Sequence, residues 1–567
     1  MPLLGELKRR RVFRALVGYG IAAFAVLQII EPVMHGLHWP DGVLSYVVVA
    51  LAAGFPIVVT LAWIFDVQGG RIERTEGRRM GARGALLLAG IGVLAAAPGL
   101  IWFFGIRGKR QTAPASPSIV VLPFANLSGD KENEYFSDGM TEEIINALAN
   151  VEGVRVVART SAFSFKGKNL DVRKIGEELN VATVLEGSVR REGNQLRVFA
   201  QLIGVADGYH LWSKSYDREL KSVFSVEDEL ARAIVLALKP KLVQDRALVE
   251  PATVSTEAHD LYLKGRYFWN QRTKEGLTKA KALFDRAIDL DPTYALAHSG
   301  LADGYTLLMD YGAARAAEVL PKAKAHALRA VELDDGLAEA HASLGAISQH
   351  DYDWDTAERE LKRAIELRPG YATAHQWHAE VLLAKGRFPE AIAEAERARQ
   401  LDPTAPVVNY VLAVTFLLSR DYGRTIEQAT KTLELDPGFT FARVYLVLGY
   451  LRTRRFAEAL ATLDQANSNS GPLQCLRAQV LAAKGDREAA QRLLAEAEGR
   501  FKQDPFPRIA LAGVHFTLGD TDGALALLEQ AVEAREPSLP IGMQGANWDP
   551  IRSDPRFQKL LRRMNLQ

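Results

Sequence analysis

Three prolines, Pro369, Pro403 and Pro437, stand 34 residues apart, and the same phase two periods on reaches Pro505. Self-similarity at a period of about 20–50 residues marks a stacked repeat, each unit of which cannot bury its apolar face until a neighbour covers it. The period therefore predicts stacked helix pairs over the C-terminal part of the chain. Such arrays present a long curved surface on which other proteins or peptides are held.

Small residues recur in the same phase. Twelve positions before the marker stand Ala280, Ala323, Ala357, Ala391, Thr425 and Ala459, and five before it Ala287, Ala330, Ala364, Ala398, Thr432 and Ala466. Side chains of this size let two helices approach closely. Leu290-Asp291-Pro292, Leu401-Asp402-Pro403 and Leu435-Asp436-Pro437 end helices, because proline disfavours the helical state in its predecessor. The pattern resembles the tetratricopeptide repeat, whose unit of about 34 residues carries alanines at these offsets and a late proline. Leu344-Gly345 matches its leucine-glycine pair. The resemblance covers 258–536, roughly eight repeats. It weakens after Gly471, where the alanine spacing drifts, and the second repeat is longer than the others around 311–320.

The first hundred residues differ in kind. Apolar stretches run over 15–34, 44–65 and 85–106, each near the ~20 residues needed to cross a bilayer as a helix. Continuation through two further stretches argues against a cleaved signal peptide. Trp39, Trp63 and Trp102 lie near stretch ends, where aromatic rings favour the interface. Lys8, Arg9, Arg10, Arg11 and Arg14 precede the first stretch, and Arg71, Arg74, Arg78, Arg79 and Arg83 follow the second, against Arg107, Lys109 and Arg110 after the third. The positive-inside rule then expects a bacterial inner-membrane, multi-pass protein with a cytoplasmic N-terminus and periplasmic residues after 106. Glu31, near the outer end of the first stretch, reads as an interfacial carboxylate, and Pro56 as a kink between packed helices.

After a linker rich in proline, alanine and serine (107–117), an α/β pattern begins. Ile119-Val120-Val121-Leu122 predicts a buried strand ending at Pro123, and Asp138 a helix cap. A second strand is expected over 154–157 and a second helix after Asp171. A hairpin over 181–189 and 196–202 turns at Glu192-Gly193-Asn194. A further strand over 209–215 and an amphipathic helix over 223–238 close the unit. This order is similar to the FlgO-like, or TolB amino-terminal-type, domain on the strings Val121-Leu122-Pro123-Phe124, Tyr135-Phe136-Ser137-Asp138-Gly139, Leu185-Glu186-Gly187-Ser188-Val189 and Leu211-Trp212. The resemblance covers 118–240 and implies no catalytic role. Together the three blocks resemble a bacterial family that includes CadC-type regulators and cyclase-fused proteins. About a dozen residues precede the first apolar stretch, too few for a DNA-binding domain, so neither DNA binding nor cyclase activity is carried over.

The expected fold class is thus multidomain: a three-span α-helical membrane anchor (1–106), the linker, a small α/β domain with a mixed sheet (118–240), a second linker (241–257), an all-α tetratricopeptide solenoid (258–536) and a C-terminal cap (537–567). The cap is expected around Trp548-Asp549-Pro550 and the helix after Ser553-Asp554-Pro555, since solenoid ends need covering.

Motifs for chemistry do not accumulate. With net charge +1 the composition carries no nucleic-acid footprint, and Cys475, the single cysteine, leaves no multi-thiolate zinc site. Asp351-x-Asp353-x-Asp355 opens like a calcium loop, but Thr356 replaces the glycine and Lys362 the bidentate glutamate. The favoured reading is a solvated acidic turn. His375 and His378 lie one helical turn apart, yet His298, His341 and His375 share one repeat position with Asn409 and Arg443, which points to architecture or groove lining rather than zinc. No phosphate loop, metalloprotease motif or nucleophile elbow is present. No enzyme, cofactor or metal is therefore expected.

In the resembled repeats the first helix of each pair lines the concave face. By position that face takes Glu339, Gln349, His350, Gln376, Glu380, Tyr410, Phe441 and Arg452. The alternative is that these are merely exposed helix residues. The expected function is a membrane-anchored scaffold or sensor whose partners are a protein or peptide in the groove and the lipid bilayer, with no nucleic acid and with homo-oligomers allowed. The alternative is a signalling or transcription-regulatory component that passes an envelope signal to a separate cytoplasmic partner through the arginine-rich second loop.

Overall fold

A computed structural model describes residues 117–238 and 252–566, except 152, 221–222, 467–469 and 504–505; before residue 117 it describes scattered helical positions and one hairpin. The chain divides into two units, 1–115 and 116–567.

In the first unit, β1 (Phe65–Gln68) pairs antiparallel with β2 (Arg71–Arg74), Phe65 opposite Arg74. This corrects the expected anchor. Among the described residues no helix is long and apolar enough to cross a membrane. The second expected span ends in Phe65, the first residue of an extended strand, and the arginine-rich stretch after it supplies β2. A hydropathy window scores composition and does not distinguish a spanning helix from an apolar run that becomes a strand. Most of the expected spans, including all of 85–106, lie outside the described residues. The inner-membrane location, with periplasmic residues after 106 and the bilayer as partner, rested on those spans and falls with them.

The second unit opens with the mixed sheet. β3 (Ser118–Val121) is wholly buried and lies parallel to β5 (Arg155–Val156) on one side and β6 (Thr183–Glu192) on the other. β4 (Ala125–Asn126) also pairs with β6, and β7 (Gln195–Gly204) and β8 (His210–Glu219) continue antiparallel, giving the order β5-β3-β6-β7-β8. Gly193, at φ 56°, makes the β6–β7 turn with Asn194. Gly187 is fixed by packing: a Cβ there would meet the Phe199 carbonyl oxygen at 2.6 Å and the Phe124 ring at 2.7 Å. Four helices, α1 (Glu134–Ala149), α2 (Arg159–Phe163), α3 (Val172–Leu179) and α4 (Val223–Leu238), complete the domain. Asp171 caps α3 by accepting from the Arg173 N–H. Asp138 does not cap: α1 begins four residues earlier, at Glu134, and the buried Asp138 carboxylate accepts from Lys166 Nζ at 2.6 Å.

Among the described residues eight antiparallel helix pairs follow. They are α5 (Thr256–Asn270) with α6 (Lys274–Leu290), α7 (Ala295–Asp310) with α8 (Ala316–Leu333), α9 (Ala338–His350) with α10 (Trp354–Leu367), α11 (Ala372–Ala384) with α12 (Phe388–Leu401), α13 (Pro406–Leu418) with α14 (Tyr422–Leu435), α15 (Thr440–Arg452) with α16 (Phe456–Asp464), α17 (Gly471–Lys484) with α18 (Arg487–Gln503), and α19 (Arg508–Thr517) with α20 (Thr521–Glu533). The phased small residues explain the stacking. Ala280, Ala323, Ala357, Ala391, Thr425 and Ala459 are all fully buried. Gly345 lies so near α10 that a Cβ would meet Leu361 Cγ at 2.6 Å. The long second repeat distributes its extra residues over both helices and the turn, so that α7 has 16 residues where α9 has 13, and α8 has 18 where α10 has 14.

Two long-range seams shape this unit. In the first, the α/β domain docks on the repeats. Ser161 donates its N–H (2.8 Å) and hydroxyl (2.6 Å) to the buried Asp402 carboxylate, and the Ala158 N–H donates to the Leu401 carbonyl at 2.9 Å. Glu142 accepts from Arg266 at 2.7 Å, and Asp260 from Tyr135 and Arg191 at 2.6 and 2.7 Å. In the second, the C-terminal cap, with α21 (Leu539–Gly542) and α22 (Pro555–Arg563), covers the last repeat through Trp548 and Phe557 and then reaches back to repeats three and four. Trp354 Nε1 donates to the Met564 carbonyl (2.7 Å), Gln544 Nε2 to the Ala384 carbonyl (2.7 Å), and Arg535 pairs with Asp351 (2.9 Å). The array closes on itself.

Candidate functional site: a cavity inside the closed array

Closure turns part of the concave surface into a cavity of about 700 Å³. Its walls come from the first helices of repeats two to six; segment 535–541 lies across one side, and Arg159, Thr160 and Arg272 reach another. The volume lies in the range of ~300–1,000 Å³ typical of ligand sites.

The cavity has a polar end and an aromatic end. At the polar end Asp310 is the last residue of the lengthened α7, and His350 Nε2 lies 3.6 Å from its carboxylate. Glu380 accepts from Gln376 at 3.0 Å and also from Gln349. Burial pushes both Glu380 and Asp310 up to about 7, and pushes His350 down to about 4. At the aromatic end Tyr410 meets Phe439, Phe441 and Tyr445 with ring centroids 5.8, 5.6 and 5.3 Å away. Phe441 is 53% exposed although it lines a cavity, so its ring is available to an occupant.

Of the eight residues assigned by position to the concave face, the structure brings six together around this cavity: Gln349, His350, Gln376, Glu380, Tyr410 and Phe441. It places the other two elsewhere. Glu339 is clamped by Arg368 through two bonds of 2.6 and 3.0 Å, and Arg368 in turn donates to Asn150 of the α/β domain. The docked domain thus covers the groove at that point. Arg452 is half-buried at the end of α15 beside Tyr422 and Asp549. Sequence reasoning missed Asp310, because only the extra length of the second repeat carries it to the lumen, and missed Phe439, Tyr445 and Trp377. Phe439 and Phe441, which flank one first-helix start at Thr440, were the available signal.

The other candidate sites resolve into architecture. His298, His341, Asn409 and Arg443 each place a side-chain nitrogen 2.8–3.2 Å from the carbonyl oxygen six residues earlier, and His375 does the same at 3.2 Å. The position tolerates His, Asn and Arg because all three can donate to a carbonyl left open at the inter-repeat turn. His375 Nδ1 also meets Glu394, whose carboxyl burial would raise but hydrogen bonds from His375 and His378 hold down at about 2. In the calcium-like stretch, Asp351 pairs with Lys324 and Arg535, and Asp353 caps α10. Cys475 is fully buried, its thiol pushed up to about 12 by burial, which leaves it a packing residue.

A tetratricopeptide repeat family model matches residues 353–406 and 475–538. The chain carries tetratricopeptide repeats. It is 45% identical over 191 residues to "Putative adenylate cyclase 3" of Rhizobium meliloti (strain 1021), a match covering 33% of this chain and 32% of that protein, so it spans about a third of that relative's length. Among solved structures it is similar to the Pseudomonas aeruginosa pilF protein (TM-score 0.30, 19% identity, 36% of this chain and 94% of that one). It is similar also to YrrB, a tetratricopeptide protein with an unusual peptide-binding site (0.26, 18%, 37% and 96%), and to the human IFIT1 dimer with m7Gppp-AAAA (0.39, 14%, 55% and 80%).

Proposed function

We propose that this chain is a protein-interaction scaffold that holds an extended peptide segment of a partner inside the closed repeat array. One observation carries the reading: the cavity of about 700 Å³ has an aromatic cluster at one end whose outermost ring, Phe441, has open space in front of it. Buried aromatic anchors surrounded by polar groups are where binding energy concentrates. The α/β domain, which we read as FlgO-like on its sequence strings, contributes Arg159 and Thr160 to one wall. It serves as part of the binding frame rather than as a catalyst. The test is photo-crosslinking from a benzoylphenylalanine placed at position 441, with Tyr410→Ala as control. Crosslinks to a defined partner segment that Tyr410→Ala abolishes are expected. Partners that bind equally well to Tyr410→Ala, without crosslinking from 441, would sink the reading.

The 45% identity to part of a protein named adenylate cyclase favours a second reading, in which the scaffold belongs to a nucleotide-signalling assembly without performing cyclase chemistry itself. Unchanged cyclic-nucleotide levels on deletion would count against it.

A further inference from the structure

Acidic side chains in this unit are, as a rule, given cations. Glu358 takes Lys362, Lys385 and Arg387; Glu142 takes Arg159 and Arg266; Glu339 takes Arg368; Asp351 takes Lys324 and Arg535. Carboxylates that line the cavity break the rule: Asp303 accepts from the Ser343 hydroxyl, Asp402 from Ser161 and Asp436 from the Gly438 N–H, and Glu380 and Asp310 join them. Among the described residues Glu380 is met only by the amides of Gln376 and Gln349. Asp310, its side chain 32% accessible, is met only by His350 at 3.6 Å, whose ring burial keeps neutral. Of the three arginines that reach the lining, Arg159 pairs with Glu142 and Arg535 with Asp351; Arg272 lies over the Trp269 ring at 3.7 Å, and its charge also acts on Asp310. A further polar group at the wall, the Tyr352 hydroxyl, is buried without a hydrogen-bond partner.

A partly buried carboxylate without a cation in contact is costly, less so at the more accessible Asp310, and a cation brought by an occupant relieves that cost. Beside Glu380 and Asp310 stand Tyr410 and Tyr445, close enough for the charge of Glu380 to act on both phenols. Carboxylates with aromatic faces beside them are a chemistry for ammonium and guanidinium groups.

We propose that the cavity selects a peptide carrying a basic side chain, whose cation lies between Asp310 and Glu380 while a neighbouring apolar residue packs on Tyr410, Phe439 and Phe441. The inference rests on the peptide-scaffold reading above and supplies its recognition rule. The irregular second repeat acquires a purpose: its added length carries Asp310 to the lumen opposite Glu380 on α11.

The experiment is selection of phage-displayed random dodecapeptides on the full chain, followed by affinity measurements on the winning peptides. Expected are peptides with a Lys or Arg beside an apolar residue. Exchanging that Lys or Arg for norleucine should weaken binding on the order of tenfold or more, as should Asp310→Asn with Glu380→Gln. Selection on Glu380→Lys should instead enrich an acidic residue, a gain that misfolding cannot mimic. Peptides that depend on Tyr410 yet need no basic residue, or bind the Asp310→Asn, Glu380→Gln variant undiminished, would overturn the recognition rule and leave the scaffold reading standing. A selection yielding no Tyr410-dependent peptide would overturn both.

Discussion

Single residues in this chain separate into those with partners and a few without, and the latter carry the sharpest expectations. Both carboxylate oxygens of Glu227 on α4 are buried without a partner, and burial, then the charge of Glu143, holds its carboxyl well above the usual range. Glu143 itself is pushed up to about 7, first by burial and then by Glu142 and Glu339. A carboxyl whose folded value is raised keeps its proton longer in the folded state. Its contribution is therefore fully present below the unfolded value near ~4.3 and is lost as pH rises through the folded value. Glu227→Leu should raise the thermal midpoint, by about 1–3 kcal/mol of stability at pH 8 and much less at pH 5; a thermal melt series across that range checks it. Asn409 is the opposite case, bonded to the Pro403 carbonyl at 2.8 Å and to Gln428 Nε2 at 2.7 Å. Asn409→Leu strands the buried Gln428 amide and the half-buried Pro403 carbonyl and should cost about 2 kcal/mol in denaturant unfolding.

At the scale of the element, the repeat is an alternation of close contacts. Gly345→Ala would gain about 1 kcal/mol of helix propensity. The added methyl, however, lands 2.6 Å from Leu361 Cγ and 3.1 Å from the Ala357 carbonyl oxygen. Overpacking of this kind costs about 1–3 kcal/mol, so the variant should be net destabilised in a chemical melt. The same geometry explains what was legible. A helix pair needs small residues at fixed places, so Ala280 through Ala459 carry the period openly, and proline marks the turns between pairs. Hairpin β6–β7 was legible from Gly193 and its alternating flanks. Asp138 misled because an aspartate followed by glycine reads as a cap, whereas α1 begins a turn earlier at Glu134 and buries Asp138 against Lys166.

The arrangement of the whole unit was the least legible, because its seams join residues that no local pattern connects. Ser161 and Asp402 are 241 positions apart, and Trp354 and Met564 210. Glu339 shows the effect on the site: its place in the repeat assigned it to the groove, while the docked domain claims it through Arg368 and Asn150. Asp402→Ala removes the acceptor for both Ser161 bonds, leaving donors buried at about 1–3 kcal/mol. It should raise amide exchange across 158–164 and 401–404 beyond any even rise over repeats three to eight.

The seam between the cap and repeats three and four has a consequence for how the molecule comes apart. In an open array each repeat touches only its neighbours, so terminal units fray first and unfolding spreads along one dimension. Here the last repeat is tied to the third and fourth, and no terminal unit on that side can leave without breaking contacts five repeats away. The thermodynamics of the array becomes that of a loop rather than a line: repeats three to eight melt together or not at all.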